Sequence, residues 1–328
     1  MDRKNIDNVN SPGKISPGVS DFHPLHFSCW AKCVLFLLPV LAGFALLSCT
    51  SSRKGNEVVS STSDSDNFTW GQDMLVYFPT KRIYQTPEDF ALAYEDVWLK
   101  TVDGQMHAWW VPAGLDAPAV VFFHGNGGNI SYRMSTVNAF VKMGYSVLIV
   151  DYPGYGKSQG KPTEQGTYRT AESAWRYVRK AKKVPAEKMF IFGRSLGGGV
   201  ASYLAVREKC AGLILESTFT SIPDVARKKF WILPAEHICK IYYNTNTRLP
   251  KIHSPVMVIH SMDDDLIPYS MGVKNFNSAN EPKTFLQING SHNAAFDHSI
   301  NLWKKRVGKF MTKCLDEKSP DKKSASEQ

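Results

Sequence analysis

From Asp73 onward the sequence alternates between two periods. Short apolar runs at residues 75–78, 119–123, 146–150, 189–192, 212–215, 256–260 and 284–288 are separated by longer polar and mixed stretches. Most of these runs are apolar at consecutive positions rather than at every second one, which is the pattern of a strand covered on both faces. Between them, 132–143, 164–183, 197–209 and 269–278 carry apolar residues at helical spacing. Strands that run parallel need long crossover connections, and helices supply them. The alternation therefore predicts an α/β domain with a mainly parallel central sheet flanked by helices. Sheets of this kind place their sites at the carboxyl ends of the strands, so the turns that follow each run are where chemistry is to be sought.

The run 189–192 leads into Gly193-Arg194-Ser195-Leu196-Gly197-Gly198 and then into a helical pattern. A sharp strand-to-helix turn of this form exposes a serine in a strained backbone conformation, and the glycines on either side leave room for the strand and helix to approach. A lone G-x-S-x-G arises by chance in roughly one chain in ten of this length. Its position between a strand and a helix is what gives it weight. A serine hydroxyl is a poor nucleophile until a base takes its proton, so Ser195 requires a histidine and a carboxylate further along. The run 256–260 ends in Ser261-Met262-Asp263-Asp264-Asp265, where three aspartates compete, and Glu216 closes the run before it. The run 284–288 is followed by Asn289-Gly290-Ser291-His292-Asn293, which puts His292 on a short loop past a strand, where a general base belongs. Of the other histidines, His298 reads as part of the next helix, and His107, His237 and His253 as surface or packing residues. Gly156-Lys157-Ser158 looks like the end of a phosphate-binding loop, but Asp151 stands where that loop needs its first glycine, so nucleotide binding is dismissed.

Taken together, FHGNGGN, DYPGYGKSQGKPTEQG, FGRSLGG, LESTFTS, the aspartate turn and the His292 loop resemble the α/β-hydrolase superfamily, in the branch that includes protein depalmitoylases and their bacterial relatives. The resemblance spans about residues 78–310. It implies an α/β-hydrolase fold with a triad in the order Ser195, Asp264, His292. The acid turn is similar to H-G-x-x-D-x-x-V-P, and counting forward from His260 or back from Pro268 reaches Asp264 both times; Ser261 replaces the usual glycine. Asp263 and Asp265 then read as solvated loop carboxylates that cap the following helix, and Glu216 as the second choice of acid. The H-G loop implies an oxyanion hole made by the backbone N–H groups of Asn126 and Leu196, with His124 steadying the loop. The resemblance implies cleavage of an ester or thioester bond without metal or cofactor; a serine peptidase of the same fold and a surface binding protein without turnover are the alternatives. An apolar stretch at 230–234 and 238–243 falls where such folds insert a small lid; a helix packing its apolar face on the body is the first reading and the lid the alternative.

Residues 30–47 are almost continuously apolar, interrupted by Lys32, and end in Leu46-Leu47-Ser48-Cys49. This is similar to a bacterial lipobox, with a Ser- and Thr-rich stretch after it that suits a flexible tether. The chain thus divides into a signal peptide or membrane anchor at 1–48, a tether at 49–72, a catalytic domain at 73–313 and a polar tail at 314–328. Lipidation of Cys49 on an exported lipoprotein is the first reading, and an uncleaved spanning anchor the alternative. The net charge of +9 is spread along helical stretches such as Arg176, Arg179, Lys180, Lys182 and Lys183, the pattern of a solvated face rather than a nucleic-acid site. Six cysteines without C-x-x-C or Cys/His spacing argue against a zinc site or a disulfide framework.

Overall fold

A computed structural model describes residues 71–229 and 238–317. Eight strands form one sheet: β2 (Glu95–Thr101), β3 (Gly104–Val111), β4 (Ala119–Phe123), β6 (Ser146–Val150), β7 (Met189–Arg194), β8 (Gly212–Glu216), β9 (Val256–Ser261) and β10 (Lys283–Ile288). Their spatial order is β10-β9-β8-β7-β4-β6-β3-β2. The six strands from β10 to β6 pair in parallel, whereas β3 runs antiparallel to β6, and β2 antiparallel to β3. The helices Met134–Lys142, Glu164–Lys180, Leu196–Arg207, Tyr269–Ser278 and Ile300–Asp316 make up the two outer layers.

The continuous apolar runs are explained by two cores, one on each face of the sheet. Val121 and Phe123 of β4, Ile191 of β7 and Leu213 of β8 pack with Ala171, Trp175, Val200 and Leu204 of the helices on one side. Their neighbours Val120, Phe122, Phe190, Phe192 and Ile214 pack with Phe140, Trp303 and Val307 on the other. Successive side chains on a strand point to opposite faces, so a strand covered twice has no position left for a polar residue. Complete burial of a Phe or Leu side chain contributes roughly 1.5–3 kcal/mol, and every residue of β4 is buried. Helix starts are set locally: Thr163 accepts a hydrogen bond from the Gly166 N–H at 2.9 Å and so caps Glu164–Lys180.

Several elements differ from the sequence reading. Residues 75–78 are not a strand: Asp73–Val76 is a single helical turn with no buried residue, followed by the two-residue strand β1 (Phe78–Pro79) paired with β5 (Gly127–Gly128). The run is too short for its apolar content to fix its periodicity. The β2–β3 hairpin went unread because β2 alternates, with Val97 and Leu99 buried and Trp98 and Lys100 exposed, as befits an edge strand. The last helix continues to Asp316 and buries Cys314, beyond the 313 boundary. Residues 1–48, most of the 49–72 tether, the stretch 230–234 and His237 lie outside the described residues, while at the end of 238–243 Ile241 and Tyr243 are buried against the body.

Candidate active site

Strand order reverses at β4, which lies between β6 and β7, and the crevice at such a switch point is open at the carboxyl ends of the strands. Ser195 stands there, directly after β7 and at the N-terminus of Leu196–Arg207, with φ 54° and ψ −119°. That left-handed φ is costly for a residue with a side chain, and neighbouring bonds hold it. The Ser195 N–H donates to the Glu216 carbonyl at 2.9 Å, and the Ser195 carbonyl accepts from Thr218 Oγ1 at 2.6 Å and from the Gly198 N–H at 2.9 Å. The glycines do the expected work: a Cβ on Gly197 would lie 2.0 Å from the Phe123 carbonyl oxygen, and one on Gly193 2.3 Å from that of Gly197.

His292 lies with Nε2 3.0 Å from Ser195 Oγ and Nδ1 2.8 Å from Asp264 Oδ2. An ionised carboxylate can only accept. Nδ1 therefore carries the proton and Nε2 offers its lone pair to the serine hydroxyl. Burial would push the Asp264 carboxyl up, but the hydrogen bond and charge of His292, together with the N–H groups of Ile267 and Leu266, hold it below the ordinary value. Those two N–H groups donate to Oδ1 at 2.7 and 3.0 Å. Of the three competing aspartates, the geometry brings Asp264 to the histidine.

Asp263 and Asp265 do not cap the next helix, whose first position is preceded by Pro268 without a side-chain cap. Asp263 instead accepts from the Gly290 N–H at 3.0 Å, and Asp265 from the His292 N–H at 2.8 Å. Ser261, the departure from the glycine of the resembled pattern, donates to the Gly290 carbonyl at 2.5 Å. The acid turn thus grips the base loop through three side chains besides the acid. His260 sits buried beneath it, with Nε2 donating to the Ile267 carbonyl at 3.0 Å and 3.6 Å from Asp264. Glu216, the second-choice acid, faces Arg194 and Trp303 rather than His292. His298 lies in the short helix Ala295–His298, His253 is exposed, and His107 is buried against Asp96.

On the opposite side of Ser195 lies the loop after β4. A Cβ on Gly125 would come to 3.3 Å from the Ser195 Cβ, a tight contact that would press on the serine. Asn126 follows it, its side-chain oxygen accepting from the Phe78 N–H at 3.0 Å. Leu196 begins the helix after Ser195, where N–H groups have no partner inside the helix and the dipole favours negative charge. His124 is fully buried. It donates from Nδ1 to the Gly125 carbonyl at 2.6 Å, stacks on Tyr152 and lies 3.5 Å from Asp151. The stretch 151–158 braces this loop from behind: Tyr152 donates to the His124 carbonyl at 2.8 Å, and Asp151 accepts from the Ile130 N–H at 3.0 Å. Burial opposes charge on Asp151, but the nearby imidazoles of His107 and His124, 3.8 and 3.5 Å away, and the Ile130 N–H hold its carboxyl below the ordinary value. A serine hydroxyl against an imidazole, a buried carboxylate behind that imidazole and a helix N-terminus beside the hydroxyl is a set that can transfer an acyl group.

Comparison with known proteins bears on the family and the fold. Residues 118–245 match the family model described as the alpha/beta hydrolase fold. An uncharacterised protein of Mycobacterium tuberculosis is 34% identical over 231 residues, covering 69% of this chain and 82% of that protein. The alpha/beta hydrolase domain-containing protein WAV2 of Arabidopsis thaliana is 31% identical over 221 residues, covering 60% of this chain and 72% of the relative. Among solved structures, an esterase of Pyrococcus furiosus superposes with a TM-score of 0.62 at 21% identity, covering 73% of this chain and 98% of that one, a likeness of fold.

Proposed function

Because the chain belongs to the α/β-hydrolase superfamily, we propose that it is a serine hydrolase that cleaves carboxyl esters or thioesters through an acyl-enzyme on Ser195. The observation that carries this reading is the hydrogen-bonded line from Ser195 through His292 to Asp264, drawn from the ends of three different strands. His292 Nε2 takes the hydroxyl proton as Ser195 Oγ bonds to the substrate carbonyl carbon. The oxygen that becomes negative is met by the N–H groups of Asn126 and Leu196. When the tetrahedral intermediate collapses, the bond to the leaving alcohol or thiol breaks and the leaving group takes the proton from His292. Water then repeats the sequence on the acyl-enzyme and releases the acid. Asp264 keeps Nδ1 protonated throughout and offsets the charge of the transient imidazolium.

We further infer that the domain works at a membrane, held by lipid on Cys49. The apolar run at 30–47, the Ser48-Cys49 junction and the Ser/Thr tether support this reading. An anchor of this kind would keep the site near acylated substrates in the bilayer.

A fluorophosphonate probe followed by a p-nitrophenyl ester series from acetate to palmitate tests the catalytic reading. The wild-type protein is expected to be labelled and Ser195→Ala to be neither labelled nor active while keeping its melting temperature. Undiminished labelling of Ser195→Ala would remove Ser195 from the mechanism.

A further inference from the structure

Arg194 and Glu216 end neighbouring strands, are paired directly across the β7–β8 ladder, and are buried beneath the site. The Arg194 guanidinium donates through Nη2 to the carbonyl of His292 at 2.9 Å and to that of Asn293 at 3.4 Å. Its Nε lies 3.3 Å from Glu216 Oε1. The other carboxylate oxygen of Glu216 accepts from Trp303 Nε1 at 2.6 Å, and the Glu216 backbone carbonyl accepts from the Ser195 N–H. Nucleophile and base thus hang from one ion pair: Glu216 holds Ser195 by its backbone, and Arg194 holds the base loop by the carbonyl of the base itself.

On the reading that His292 is the general base, we propose that Arg194 and Glu216 are positioning residues, and that the charge of Glu216 is needed to cancel that of Arg194 beside His292. An arginine fork suits the task because it meets a carboxylate and two carbonyls with fixed geometry. Its cation, however, is bound to the backbone carbonyl of the residue whose imidazole must become positive during turnover, and uncompensated it would oppose that step. The charged and titratable groups around His292 come from several elements. The acid turn contributes Asp264 at 2.8 Å, Asp265 on the backbone N–H, and His260. Arg194 comes from β7 and Glu216 from β8. Behind these two, Arg133 faces Arg194 and Asp297 faces Glu216. Of these groups, Glu216 balances Arg194 directly. Burial pushes the Glu216 carboxyl above its ordinary value, against the downward pull of the Arg194 charge and the Trp303 hydrogen bond.

The test is an NMR titration of the His292 ring in the full-length protein, set beside ester turnover. Glu216→Gln leaves Arg194 uncompensated, so the His292 midpoint should fall by about half a pH unit or more, whereas a merely structural role would leave it in place. The double variant Arg194→Met/Glu216→Gln removes both charges and should return the midpoint to that of the wild type. Arg194→Lys keeps the charge but not the fork. It should hold the wild-type midpoint while kcat falls about tenfold or more with little change in KM. A Glu216→Gln midpoint equal to wild type, or a double variant that stays shifted with it, overturns the proposal. The titration reads the ring and not the reaction, so an unreactive wild-type protein would refute the hydrolase reading without touching this one. If the double variant does not fold, Glu216→Gln and Arg194→Lys still decide it, since they must differ in midpoint.

Discussion

Replacing Asp264 with Asn changes one atom at the acid, and the structure dictates how that atom is placed. Asp264 Oδ1 accepts two backbone N–H groups, from Leu266 and Ile267, at 3.0 and 2.7 Å. An amide can meet two donors only with its oxygen, so the Asn oxygen takes that place and the NH₂ group takes the place of Oδ2, 2.8 Å from His292 Nδ1. Two donors then face each other. The imidazole relieves this by carrying its proton on Nε2, which removes the acceptor 3.0 Å from Ser195 Oγ. The same change of tautomer in a serine protease lowers kcat about 10⁴-fold, equivalent to about 5 kcal/mol in the barrier. The loss should fall in kcat with KM little altered, because no substrate contact changes. Asp263→Asn and Asp265→Asn serve as controls: each keeps an oxygen for the N–H it serves, on Gly290 and His292 respectively, and should stay within about tenfold of wild type. Initial rates on p-nitrophenyl butyrate would decide it. Asp264→Asn within tenfold of wild type, or a 10⁴-fold loss in Asp263→Asn or Glu216→Gln instead, would show that the acid was misassigned.

Three further outcomes are expected. Gly197→Ala would drive a methyl group to 2.0 Å from the Phe123 carbonyl oxygen and 2.7 Å from that of His124, so the helix must leave the strand, at a cost of about 3 kcal/mol or more. Calorimetry should show a melting temperature lower by about 6–12 °C, while Gly127→Ala, with open space around it, should melt as wild type; equal melting of the two would refute the clash. Asp151 and Asp264 are both held below their ordinary value of 3.8, so the unfolded chain binds more protons than the folded one as the pH falls past that value. Their stabilisation is complete above it and lost through the folded-state values; Glu216, pushed up by burial, works in the opposite sense. The melting temperature should therefore drop steeply below about pH 4, and a flat profile down to pH 3 would contradict the carboxylate assignments. Mass spectrometry of the membrane-extracted protein should find Cys49 as a lipidated N-terminus, and an intact Met1 or an unmodified Cys49 would favour the spanning anchor.

The sequence discloses the interior of this fold better than its edge, for a physical reason. β4, β6, β7 and β8 are buried on both faces, so positions between their ends are apolar and the run announces itself. β2 is covered on one face and carries Trp98 and Lys100 outward, and its partner β3 holds the buried polar residue His107, so neither yields an uninterrupted apolar signal. The turn at Asp73–Val76 was misread because four residues cannot distinguish a period of 2 from one of 3.6.

The placement of Ser195 and His292 was legible because a serine in a strand-to-helix turn and a histidine on a loop past the last strand each sit at a particular end of a particular element, and element ends can be counted along the chain. Asp264 needed the resemblance, since three adjacent aspartates are equivalent until something faces them. What separates them is the base loop, about 27 residues further on: Gly290 meets Asp263, and His292 meets Asp264 with its ring and Asp265 with its backbone. Arg194 was hidden for the same reason. It lies inside the serine motif at a position that the motif leaves open, and its partners Glu216, His292 and Asn293 lie on later segments of the chain. A residue that performs chemistry is marked by its position on the chain; a residue that holds it in place is marked by what lies opposite, and a single sequence contains no record of that until it is folded.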